Sequence, residues 1–297
     1  MKSVILISAL LLSSLAHAAQ FDPNNPDDVY RANTKVFCSL EEGKHSIYWW
    51  KGTVYSRVPG EKDRHLFNVH GMNVRACKHF TDPVRGVGSR SVSREVMFFL
   101  DPKTNEVVRE WTNPWTKQKV EVIQVANDPV NARAPSWSRD EEGKGTASLD
   151  RYLIVGDVAF MGGGAARLFY DNPLAGDYQE YVGNNYHASE FLTAAIPYAD
   201  LMDADATEVK DSVISWGRIS RWMPWMKMGS RDGLLVFYTH GLRLESFEDL
   251  PEVVKDEIHL NYPAYTQPPP LDDDRPNETS WTVFKNHIDA QREADKP

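Results

Sequence analysis

The sequence predicts a mainly β fold: an antiparallel β-barrel of calycin-like closure with an N-terminal helix and a short C-terminal helix, or alternatively a two-sheet β-sandwich. Three observations carry this expectation. From Ile47 onward, apolar residues recur with a period of two, in short runs rich in β-branched and aromatic side chains. Gly, Pro, Asn and Asp separate the runs, as turn chemistry requires. No long helical stripe and no internal repeat interrupts them, so helices do not alternate with strands as an α/β fold demands. Closing a sheet removes its exposed edges, which favours the barrel.

Taken in order, residues 1–18 read as a secretory leader: Lys2, an apolar run from Val4 to Ala16, and Ala16-His17-Ala18 as the cleavage site. The run is too short for the roughly 20 residues of a spanning helix, so a periplasmic or secreted chain starting at Ala19 is expected, with no transmembrane anchor. Asn25 to Cys38 reads as a helix, with Asn25 as cap, Pro26 in the first turn, and Asp27 and Asp28 at the positive end. Ser46–Val58 and His65–Lys78 form a hairpin about Pro59-Gly60-Glu61. Val96–Leu100, Val107–Thr112 and Val120–Val125 extend it to a five-strand meander. Further strands are expected at Arg151–Phe160, near Tyr186–Thr193, at Val213–Ser220 and at Leu234–Leu244, then a short helix at Leu250–His259. The domain is read as residues 19–270. The acidic stretch 271–297 is read as an extended tail, docked if at all by Trp281 and Phe284.

With 33 Lys and Arg against 42 Asp and Glu, the 297-residue chain carries a formal charge of −9, which argues against nucleic acid as a partner. At 41% hydrophobic and 25% charged residues it has the composition of a packed globular domain. Cys38 and Cys77 are an even pair in an oxidising compartment, and the hairpin places Cys77 opposite roughly residue 46. They are either a disulfide or two buried small hydrophobes. The sequence holds no nucleotide loop, H-E-x-x-H, G-x-S-x-G or C-x-x-C. Gly162-Gly163-Gly164 lacks the third glycine of a dinucleotide fingerprint, Arg167 standing there, and reads as a flexible turn. His65 and His70, five apart on one strand, face opposite sides. Neither cofactor nor metal is expected.

Two segments have unusual composition. Trp216–Gly229 holds three Trp and three Met in fourteen residues, either as plain core or as the lining of a pocket for a bulky apolar molecule. Because Pro224 interrupts a strand, Trp222, Trp225 and Met226 are expected at a barrel mouth. In Trp111–Asn131, Asn113 and Asn127 flank strands as turn formers or as donors to a ligand oxygen, with Trp111 beside them. Arg75 sits inside an apolar strand and must find an acceptor, in Glu95, Asp128 or a ligand. For chemistry, His240 shares a face with Val236, Tyr238 and Leu242, His70 with Leu66, Met72 and Val74, and Asp128 is the nearest carboxylate candidate. An imidazole titrating near neutrality serves as acid and base if a carboxylate orients it.

Trp50-x-Gly52, Leu66-Phe67 through Gly71 to Arg75, Leu100-Asp101-Pro102-x-Thr104, Trp111-x-Asn113-Pro114, Asn127-Asp128-Pro129-Val130 and Trp222-x-Pro224-Trp225-Met226 resemble the uncharacterised family called domain of unknown function 1838. The likeness covers roughly residues 26–268. Lys117 departs from it, standing where the resemblance implies a glycine in the turn. The family name implies no activity. The sequence therefore leaves three readings of function: a cofactor-free enzyme moving protons on an apolar terpenoid, steroid or aromatic lipid; a carrier or sensor of such a molecule; or a structural envelope protein.

Overall fold

The computed structural model describes residues 19–171, Leu174, Tyr178 and residues 185–296, with backbone alone for 163–171. The leader expected at 1–18 lies outside the described residues. Helix α1 (Pro26–Phe37) starts where the capping chemistry places it: the Asn25 side chain accepts from the Asp27 amide at 3.0 Å. β1 (Ser46–Arg57) and β2 (Arg64–Asp82) form the expected hairpin, and β3 (Gly86–Leu100) continues it. Cys38 and Cys77 form a disulfide that ties the end of α1 to β2.

The meander then departs from expectation. β4 (Glu110–Thr112) and β5 (Lys119–Glu121) leave the sheet as a hairpin of their own, and only β6 (Val125–Asn127) returns to β3, with β7 (Ser136–Trp137) also beside β3. The hairpin leaves because Trp111, Val120 and Val122 pack into the cluster around Trp225. Its turn puts Lys117 at φ 62°, the left-handed region that favours glycine, which accounts for the glycine expected there.

The stretch read as one strand at 151–160 is a hairpin, β8 (Tyr152–Val155) and β9 (Val158–Asp171), turning at Gly156 with φ 62°. Gly162-Gly163-Gly164, read as a flexible turn, runs inside β9. β10 (Asn185–Pro197), the short helix α2 (Tyr198–Met202), β11 (Val213–Ser220), β12 (Leu234–Leu244) and α3 (Glu252–Asn261) complete the sheet region. The segment read as an extended tail contains α4 (Ser280–Ala294), capped by Thr279. Trp281, Phe284 and Ile288 form a stripe at helical spacing and are buried in the core, which stabilises a helix there.

Apart from β4 and β5, the strands form one antiparallel sheet in the order β6-β3-β2-β1-β12-β11-β10-β9-β8, with β7 off the path beside β3. Among the described residues no ladder joins β6 to β8, so the closed barrel is not found. The inner face buries two apolar clusters, one around Phe67, Phe99, Trp225 and Trp281, the other against α1 and α2 around Tyr48, Ile196 and Ile214. α3 lays Val254 and Ile258 on the outer face, over Met72, Val74, Val96 and Phe98. No described helix is long and apolar enough to cross a membrane.

Candidate functional site

Side chains alternate across a strand, so the register decides which residues meet. Tyr48 stands opposite Asn73, Ser46 opposite Arg75, Asn73 opposite Glu95, and Glu190 opposite Arg218. All of these except Ser46 line a cavity of about 660 Å³ between the two inner clusters. Its apolar wall includes Phe37, Trp50, Met97, Leu192, Ile214, Trp216, Met223 and Phe237, and the entry to α4, Glu278 to Trp281, closes one side. Trp50 faces Gly71 on β2 and Gly241 on β12. A Cβ on Gly71 would fall 2.2 Å from the indole, so the missing side chain is what lets the ring lie against the sheet.

The polar end is made of opposite charges that are only partly paired. Arg218 meets Glu190 at 3.1 Å and donates to the Tyr186 hydroxyl. Arg75 donates from Nε to Asn73 Oδ1 at 2.8 Å and lies over the Phe37 ring, yet it makes no ion pair among the described residues. Neither Glu95 nor Asp128 takes it in the salt bridge that the sequence offered. Glu95 instead accepts from Asn127 Nδ2 at 3.5 Å. Burial, and after it the like charge of Glu190, pushes the Glu95 carboxyl above the usual carboxylate range. Burial likewise disfavours the charge on Arg75 and lowers its pKa. The Nε atoms of Trp50 and Arg218 and Asn127 Oδ1 are buried on this wall without a partner.

Arg75 and Asn127 therefore line the cavity. The other expected residues lie elsewhere. Trp222, Trp225 and Met226 are core: all three are buried, and Trp225 packs edge-on against Phe67, Phe99 and Trp111. Their neighbours Trp216 and Met223 line the cavity instead. Asn113 is a buried turn former, accepting from the Trp115 and Thr116 amides and donating to the Met226 carbonyl at 2.8 Å. Asp128 is held by Arg94 at 2.9 Å and Arg275 at 2.8 Å, outside the cavity lining. His70 and His240 lie on the outer face, in one row with Lys51 between them, so the sheet separates both from Arg75. Glu95, Asn73, Glu190 and Arg218 were not expected as site residues; the available signal was a polar residue at every second position of apolar strands. Among the described residues no cluster of three His, Cys, Asp or Glu side chains could hold a metal ion.

His70 has a structural task that pH exposes. Its Nδ1 accepts from Trp49 Nε1 at 3.3 Å, which needs the neutral ring, and burial followed by the nearby Lys51 charge lowers its pKa from 6.5 to about 4. Between those values the unfolded chain takes up a proton that the fold refuses, so stability falls as pH drops from 6.5 towards 4. Urea midpoints measured across that window should decline less in His70→Gln than in the parent. Parallel declines would place the effect on other groups.

The family model described as protein of unknown function (DUF1838) matches residues 43–288, most of the chain and all of the cavity lining except Phe37. No curated protein matches the chain.

Proposed function

We propose that this chain, which belongs to the DUF1838 family, binds a bulky apolar small molecule with one polar end inside its curled sheet. The cavity carries the reading. At about 660 Å³ it falls within the size range of small-molecule sites, and it combines an aromatic and aliphatic wall with a few convergent polar groups. A filled core would have no use for Arg75 without a counter-charge, because a buried guanidinium must find an acceptor. Terpenoids, steroids and aromatic lipids have the shape and polarity for such a site. The Cys38–Cys77 disulfide supports work in an oxidising compartment, periplasmic or extracellular.

The same polar end suits cofactor-free proton transfer. Glu95, whose carboxyl burial pushes above the usual carboxylate range, is the acid-base candidate of this end, and Arg75 can stabilise a developing negative oxygen. If the protein is an enzyme, Glu95 takes the acid-base task first assigned to the two histidines. A carrier or sensor would use the same cavity without turnover.

Trp50 and Trp216 line the cavity and report on it. Titration with a sterol, a terpenoid alcohol and an aromatic lipid should quench or shift Trp emission saturably for at least one class. Trp216→Phe should reduce that signal. A flat response to every class would remove the binding reading and leave a structural role.

A further inference from the structure

We propose that the cavity selects amphiphiles bearing a single carboxylate, which the two terminal nitrogens of Arg75 receive while the aromatic wall takes the apolar body. This rests on the reading of the cavity as a ligand site and adds the chemical class of its occupant.

The argument is one of charge balance. Arg218 already has Glu190 as its ion-pair partner, and Glu278, at the entry to α4, has one carboxylate oxygen taken by the Asp128 amide at 3.2 Å. Burial disfavours the charged form of Glu95, which makes it a poor counter-charge for an amine head. Arg75 is the cation left over. Arg243 stands beyond it on the same inner face, opposite Tyr48, and adds positive potential. A neutral ligand would leave the Arg75 charge buried and uncompensated, whereas a carboxylate matches the planar fork of a guanidinium in two parallel hydrogen bonds. A phosphate dianion fits less well, because Glu190 would stand beside its second charge.

A pH dependence follows from the groups around Glu95: Asn73 and Arg75 from β2, Tyr48 from β1, Asn127 from β6, Glu190 from β10, Arg218 from β11 and Glu278 ahead of α4. Protonated, Glu95 can donate to the ligand's second oxygen. As pH rises through its titration a negative charge appears beside the bound head, and carboxylate affinity falls.

The test is a Trp-fluorescence titration of the mature chain with dodecanoate, dodecanol and dodecylamine, which share one apolar body. Dodecanoate should bind at least about tenfold tighter than the other two, the worth of a charge-assisted hydrogen bond. Arg75→Gln should weaken dodecanoate by roughly 10- to 100-fold and leave dodecanol within about threefold, with Arg75→Lys between. Glu95→Gln should flatten the loss of dodecanoate affinity at high pH. Melting curves of each variant separate misfolding from lost recognition, and the comparison of three heads on the parent needs no variant at all. Dodecanol or dodecylamine binding as tightly as dodecanoate, or Arg75→Gln weakening all three alike, overturns the carboxylate assignment while the cavity remains a ligand site. Silence from all three heads, together with silence from the sterol, terpenoid and aromatic lipid, overturns both.

Discussion

Arg243→Ala is expected to lower the free energy of unfolding by about 3–5 kcal/mol, the usual loss when one member of a buried charged network is removed. Arg243 is 6% exposed. Its Nη1 donates to the Lys35 carbonyl at 2.7 Å, and its Nη2 donates to Ser46 Oγ at 2.7 Å and Glu208 Oε2 at 2.8 Å. The Lys35 carbonyl lies in the last turn of α1, where carbonyls lack helical partners, so one side chain both caps the helix and fixes it to β1 and β12. Without it, that carbonyl keeps only the Val209 amide at 3.3 Å, and the Glu208 carboxylate loses a charged donor. Lys44 still reaches Glu208 at 3.1 Å, which limits the loss to the lower part of the range if it can follow the carboxylate inward. Guanidinium denaturation should report the change, with a fall in Tm of roughly 10 °C. Arg243→Lys should fall between parent and Ala, since it keeps the charge but not the fork. A loss below about 1 kcal/mol would mean that the carbonyl and Glu208 find other donors, a value typical of a surface pair.

How much of this was legible in the sequence depended on whether local chemistry decided the outcome. α1 and the β1–β2 hairpin were legible because caps and turns act over a few residues. β11 and β12 were legible because period-two patterning there meets no competing interaction. The disulfide was open from sequence alone; it forms because the end of α1 lies beside β2, which is a tertiary fact. β4 and β5 were assigned to the sheet because their propensities allow it, but the burial of Trp111, Val120 and Val122 against Trp225 takes them out of it. α4 was hidden by its acidic, polar surroundings, although Trp281, Phe284 and Ile288 already had helical spacing.

The site divides in the same way. Arg75 was legible because a cation among apolar neighbours needs an explanation wherever the strand lies. His240 was grouped with its correct face-mates and His70 with Met72 and Val74, whereas Leu66, at the bulge, packs into the inner cluster with Phe67; nor can periodicity say which face is inside. In β2 both faces are apolar, since α3 covers the outer one, and the usual contrast between a wet and a dry side is missing. The Trp and Met residues after Trp216 are packed as core and only partly as wall, because Pro224 starts a short 3₁₀ turn that drives Trp225 and Met226 inward. Glu95 was visible only as a partner for Arg75. Its place in the cavity follows from register with Asn73, which spacing along one strand does not contain.

That register also sets the second large effect: Gly71→Ala should cost at least about tenfold in affinity for whatever probe the cavity binds, the value of roughly 1.4 kcal/mol of lost interaction. Gly71 stands between Trp50 on β1 and Met97 on β3, and both of those line the cavity. The added Cβ would lie 2.2–2.4 Å from three atoms of the indole, closer than side chains approach. Trp50 must then swing off β2 and into the cavity, taking its Nε1 donor with it. Overpacking of this kind costs about 1–3 kcal/mol of stability, which the fold can tolerate. Gly52 and Gly241 are different: their added Cβ would meet the Tyr238 and Trp49 backbone oxygens at 2.0 and 2.1 Å, so the strands themselves would have to part. Changes at Gly52 or Gly241 should lose the fold, whereas Gly71→Ala should keep it and lose the ligand. Melting curves and probe titrations run together distinguish the two classes. Parent-like affinity in a folded Gly71→Ala protein would show that the ligand does not rest on Trp50, and would move the binding site away from this wall.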